Sequence, residues 1–112
     1  MVEPRLKSKI TVGAWLRMGD AANKPGMVLK RGDPDAGAIL LVLRGRDGIM
    51  VLSQTRTPEG AAAWIRLGGL LLLDQATADA LVERQLRFDG DLWVVEFETP
   101  DLQPPFELKF AG

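Results

Sequence analysis

The sequence predicts an α+β domain: an antiparallel meander sheet of about four to five strands carrying two helices. Three observations support this. Apolar residues recur at helical spacing in two segments, 8–22 and from about 74 to 87. Short apolar runs at 38–43 and 49–52 are separated by turn-forming residues. Residues 92–98 alternate, with Trp93, Val95 and Phe97 on one face and Val94, Glu96 and Glu98 on the other.

Taken in chain order, Ile10, Ala14, Met18 and Ala21 share one stripe of the first helix, widened by Trp15 and Ala22, while Arg17 and Asp20 point away. Ile10, Val12, Ala14 and Leu16 also fit a period of two and Gly13 weakens a helix, so a strand competes there. Lys24-Pro25-Gly26 ends the element, and residues 27–31 read as a short strand. The turn Gly32-Asp33-Pro34-Asp35-Ala36-Gly37 leads into 38–43, and Gly45-Arg46-Asp47-Gly48 closes a hairpin onto 49–52. Residues 63–67 form a further strand after the loop at 57–60. Asp74 and Thr77 both suit the N-cap of the second helix, which Asp89-Gly90-Asp91 terminates.

The two central strands are apolar on both faces. With both helices on one side of the sheet, the other face needs a cover. The leucines at 70–73, the alternating tail of Phe106, Leu108 and Phe110, and a second copy of the protein are the candidates. The chain is read as one domain over 1–112, with 100–112 a Pro-rich C-terminal extension.

Composition excludes much chemistry. The 112 residues contain no His, Cys or Tyr, and only Ser8 and Ser53 as serines. Thiolate nucleophiles, Ser-His-Asp triads, zinc fingers and the usual haem or iron–sulfur ligation therefore drop out. No cofactor or metal is expected and no catalytic residue is assigned. The longest apolar runs fall far short of the roughly 20 residues that span a bilayer, and residues 1–10 are polar, so the expectation is a cytoplasmic protein without membrane contact. The net charge of -1 conceals an asymmetry: residues 1–66 carry 11 basic and 6 acidic side chains, residues 67–112 carry 3 and 9. Opposite charges on neighbouring elements explain this, as would a molecule with two unlike faces. Arg44, Arg46, Arg56 and Arg66 have no aromatic residue among them, and no phosphate loop occurs, so no nucleic-acid role is expected.

The candidate binding residues are Arg31, Asp33, Asp35, Arg84, Gln85, Asp89, Asp91 and Trp93. Asp33-Pro34-Asp35 offers two carboxylates, although Asp and Pro are also what a turn needs. Gln85 lies among Leu81, Val82, Leu86 and Phe88, where an amide either satisfies a backbone group and docks the helix or, with Arg84, holds a polar or anionic ligand. The structural role suits the residue types better. Trp93 belongs to the inward face of its strand before it is a binding platform.

The two stretches 31–38 and 83–96, Arg-Gly-Asp-Pro-Asp-Ala-Gly-Ala and Glu-Arg-Gln-Leu-Arg-Phe-Asp-Gly-Asp-Leu-Trp-Val-Val-Glu, resemble those of the small alphaproteobacterial family called domain of unknown function 1491. The likeness spans about residues 6 to 98. Members commonly show Pro where this chain has Gly90, and a more polar connection where it has 70–73. The resemblance implies a bacterial cytoplasmic protein with a helix at 8–22. It brings no activity, cofactor or catalytic residue.

The resulting expectation is a non-enzymatic binding or protein-interaction module, with a protein partner or self-association through the leucines at 70–73. The alternative is a protein binding a small anionic ligand, or an enzyme using Asp33, Asp35, Asp89 or Asp91 as base or metal ligand.

Overall fold

In the computed structural model, the structure is described for residues 6–111. The apolar run predicted at 38–43 is the middle of the sheet: β2 (Ile39–Arg44) buries its first five residues. The remaining elements are α1 (Ser8–Ala21), β1 (Gly26–Lys30), β3 (Ile49–Arg56), β4 (Ala62–Leu67), α2 (Gln75–Phe88) and β5 (Trp93–Glu98). The strand order is β1-β5-β2-β3-β4. β2, β3 and β4 form the predicted antiparallel meander, and β5 enters between β1 and β2, antiparallel to β1 and parallel to β2. The sheet is thus mixed. Burial explains the insertion: Val94 and Val95 point to opposite faces and both are fully buried, so β5 needs an internal place, whereas β1, half exposed along its length, takes an edge. β3 runs four residues past its apolar stretch because Ser53, Gln54, Thr55 and Arg56 pair with β4 beyond the core.

The helices lie on opposite faces, which corrects the expectation that both lie on one side of the sheet. On the first face α1 packs with Ile39, Leu41, Leu43, Leu52, Trp64, Trp93, Val95 and Phe97. On the second, α2 lies over β3, and Ala78, Leu81, Val82 and Leu86 meet Leu40, Val42, Ile49, Val51 and Val94.

The tail completes the first face. Phe106 stacks on Trp15 at 4.3 Å between ring centroids and meets Phe97 edge-on at 5.7 Å, while Leu102 and Leu108 join the same cluster. Lys109 and Ala111 bracket Trp64 through backbone bonds of 2.8 and 2.9 Å, so the tail adds a short bridge to the free edge of β4. Residues 102–111 thus pack as part of the domain. Of the leucines at 70–73, Leu73 is buried in the second core and pairs with Ile49; Leu70 and Leu71 are 90% and 82% exposed.

α1 turns a different stripe inward from the one its sequence suggests. Ser8, Val12 and Gly19 are buried, with Trp15 and Leu16 packed beside them, whereas Ile10 and Met18 face outward. The bulky Trp15 and Leu16 set the face. Gly19 permits the approach, since a Cβ there would lie 2.5 Å from the Lys24 carbonyl oxygen and 2.9 Å from the Phe97 ring. At α2, Asp74 is the N-cap: its carboxylate accepts from the Thr77 N–H at 2.8 Å, a bond that holds its carboxyl below the ordinary aspartate pKa.

A polar knot fastens the tail to the loop after α1. Asp101 accepts from the Gln103 N–H, from the Thr99 hydroxyl and from Lys24 Nζ, which also donates to the Gln103 carbonyl. These bonds, the backbone one first, lower the Asp101 pKa to about 2 from the 3.8 of an unperturbed aspartate. A depressed acid stabilises the fold above its unfolded pKa and loses that contribution as pH falls through its folded one. Asp101 is therefore expected to support stability at neutral pH and to withdraw it between pH about 4 and about 2. Acid-induced unfolding of Asp101→Asn, followed by circular dichroism, should lose this segment of the pH dependence and start from a lower neutral-pH midpoint.

Among the described residues no helix is long and apolar enough to cross a membrane.

Candidate functional site

The two motif stretches meet, and what they build is a clasp. The turn at 32–37 is gripped from one side by the start of α1: the Lys9 N–H donates to the Pro34 carbonyl at 2.9 Å, and the Ser8 hydroxyl donates to the Gly37 carbonyl. From the other side the Asp33 N–H donates to the Asp91 carbonyl at 2.9 Å, and Trp93 Nε1–H donates to the Asp33 carbonyl at 2.7 Å. Glycine is needed at two positions. A Cβ on Gly32 or Gly37 would sit 2.1 or 2.4 Å from the Asp91 carbonyl oxygen. The sequence spacing of some 50 residues is closed by β5 entering the sheet beside β2.

Within the clasp the candidate carboxylates serve the backbone. Asp33 accepts from the Ala36 N–H at 2.8 Å, and Asp89 from the Asp91 N–H at 3.0 Å. Asp35 forms an exposed ion pair with Lys7 at 3.6 Å, of little energetic weight. Arg31 lies over the Trp93 ring with its guanidinium carbon 5.8 Å from the centroid, and Trp93 itself is 2% exposed. Arg31, Asp33, Asp91 and Trp93 are therefore brought together. Arg84 points from the exposed side of α2, and among the described residues no hydrogen bond or ion pair ties it or the Gln85 amide to the others. Gln85 is half-buried and, among the described residues, makes no side-chain bond that docks α2; the amide that does satisfy a backbone group at a strand start is Gln54 of β3, which accepts from the Ile39 N–H at 2.8 Å. The sequence offers no signal for that role, because Gln54 follows an apolar strand as an ordinary polar residue.

Two concavities flank the sheet, and a smaller one lies at the β2–β3 turn. A cleft of about 560 Å³ opens between the start of α1 and the far ends of β3 and β4, with Ser8, Asp35, Gln54, Arg56 and Trp64 among its walls. Several of its polar groups serve the fold: Ser8 and Gln54 make the backbone bonds above, and Arg56 donates to the Gly60 carbonyl at 2.8 Å, while Asp35 makes only its exposed pair with Lys7. Among the described residues no group of three or more acidic side chains is placed to hold a metal ion.

The second is a groove of about 500 Å³ between α2 and the β5–β1 side of the second face. Leu29, Val42, Ala78, Val82 and Leu86 make it apolar, and Asp79, Glu83 and Glu96 line it with carboxylates. Arg44 answers only Glu96, at 3.0 Å. A break in register between Val28 and Lys30 sets Leu29 out of the regular ladder. At its β1 edge Leu29 is 49% exposed, and Met27, which pairs with Glu96, is 56% exposed. The groove escaped the sequence reading because only the fold shows that α2 stops short of β1. Its acidic flank was visible all the same: Asp79 and Glu83 stand one helical turn apart on α2.

The model of a family described as a protein of unknown function, DUF1491, matches residues 6–107. A crystal structure of a DUF1491 family protein from Caulobacter crescentus is similar at 28% identity and a TM-score of 0.84, over 95% of this chain and 99% of that one. The solution structure of protein Atu0922 from A. tumefaciens is similar at 31% identity and a TM-score of 0.79, over 97% of this chain and 98% of that one. No curated protein matches significantly. With the clasp motifs, the mixed five-stranded sheet and a family match over nearly its whole length, this chain belongs to the DUF1491 family.

Proposed function

We propose that this protein is a non-enzymatic interaction module of the bacterial cytoplasm, and that it receives a protein partner in the groove between α2 and the β5–β1 half of the sheet. One observation carries this reading: beside α2 an apolar trough lined by Val42, Ala78, Val82 and Leu86 stays open at the β1 edge, where Leu29 and its neighbour Met27 stand in water. Exposed apolar residues gathered at a concavity mark docking surfaces far more often than scattered ones do. The alternative, a small-anion site or carboxylate enzyme at the motif corner, has less support, because Asp33 and Asp89 hold turns and Trp93 is buried.

Site-specific photocrosslinking in the native cell tests the reading. A photoreactive residue at Leu29 is expected to capture a discrete protein, and one at Arg17, exposed on α1 and on the opposite face, to capture none. Equal adducts from both positions, or none from Leu29, would count against the groove.

A further inference from the structure

We infer that the segment this groove accepts is an α-helix whose apolar stripe is flanked by lysine or arginine on the side that faces α2. This rests on the interaction-module reading above and adds the chemistry of the partner. Width points to a helix. Neighbouring strands lie about 4.8 Å apart and a helix with its side chains is about 10 Å across, so one helix covers roughly two to three strands. α2 sits over β3 and reaches across to Val94 of β5; beyond it on this face lie β1 and the end of β5 at 96–98. That strip, about two strands wide, is the space of one more helix beside α2.

Charge points to basic flanks. The α2 wall of the trough carries Asp79 and Glu83, and its floor carries Glu96; Glu98 follows Glu96 on the same sheet face. Arg44 neutralises Glu96 only, and Lys30, at the far end, turns its ammonium to the Arg31 and Gly90 carbonyls. The Asp79 carboxylate accepts from Gln75 Nε2 at 2.7 Å, and neither it nor Glu83 has a cation paired with it among the described residues. A helix packed against this wall brings its flanking side chains to these carboxylates, where basic groups attract and acidic ones repel. A second copy of the chain is the competing occupant, since the outer face of α1 presents Ile10 and Met18 beside Lys9 and Arg17. Groove and α1 lie on opposite faces, however, so that contact would join copies head to tail in a ring or an open chain, which favours a different protein as the partner.

The test uses two labelled synthetic helices of about 18 residues, both with leucines at i, i+3, i+4 and i+7, one with lysine flanks and one with glutamate flanks. Binding to the whole protein is followed by fluorescence anisotropy at about 0.05 and 0.5 M salt. The lysine helix is expected to bind at least roughly tenfold more tightly at low salt, with the difference shrinking at high salt and disappearing in the double variant Asp79→Lys, Glu83→Lys. Equal binding of the two helices, a preference for glutamate, or no binding of either overturns the inference. If both bind equally and Leu29→Asp weakens both, the groove remains a docking site and only the basic flank is lost. If Leu29→Asp leaves their binding untouched, the groove reading falls as well. Light scattering on the protein alone supplies the last arm: growth of mass with concentration that Leu29→Asp removes makes a second copy the occupant and overturns the inference.

Discussion

Trp93→Ala is expected to lower the free energy of unfolding by about 3–5 kcal/mol, a large part of the ~5–15 kcal/mol that holds a typical domain together. Trp93 is 2% exposed in the first-face core, so its removal leaves a cavity beneath α1. It also strips the Asp33 carbonyl of its 2.7 Å partner and takes away the ring under Arg31. Trp93→Phe separates the two contributions, because it keeps most of the ring and removes the N–H, at a cost of about 1–3 kcal/mol. Urea titration reads both. A loss below about 1 kcal/mol for Trp93→Ala would mean that the clasp is not what fastens β5 to the turn at 32–37, and would return Trp93 to the binding candidates.

Ending the chain at Pro100 is expected to abolish cooperative unfolding. The tail carries Leu102, Phe106 and Leu108 into the first core, and without it Trp15, Trp64 and Phe97 lose their cover together with the Asp101 knot. The graded form, Phe106→Ala, should cost about 2–4 kcal/mol, since the ring is half-buried and makes both a stacked and an edge-on contact. Calorimetry distinguishes the outcomes. A truncated protein that melts within a few degrees of the intact one would show that the tail is an appendage to a complete domain.

Local chemistry made most of the elements legible. The alternation at 92–98, the Asp-Gly turn at 47–48 and the cap at Asp74 each depend on neighbours in sequence, and each appears where expected. What depends on distant partners was harder to read. Trp15 was read on the inward side of the first helix, but nothing in residues 8–22 reveals that Val12 and Leu16, rather than Ile10 and Met18, share that side with it, since both stripes fit a helix and the choice is made by Phe97, Trp64 and Phe106 from elsewhere in the chain. The two-sided burial of β2 was read correctly from its composition, but not that the helices would divide between the faces. The turn role of Asp33 and the inward place of Trp93 were legible in residue type and alternation, whereas the separation of Arg84 and Gln85 from them depends on how α2 lies on the sheet.

The central claim is that the groove stays apolar for a partner and not for the stability of the free fold. Leu29→Ser tests it most directly, measured for both stability and native crosslinking from a neighbouring position, Met27. Leu29 is 49% exposed on an edge strand, so the substitution is expected to shift unfolding by no more than about 1 kcal/mol while the crosslinked adduct disappears. A stability loss of about 3 kcal/mol or more, with the adduct retained in the folded fraction, would make Leu29 a packing residue and contradict the account.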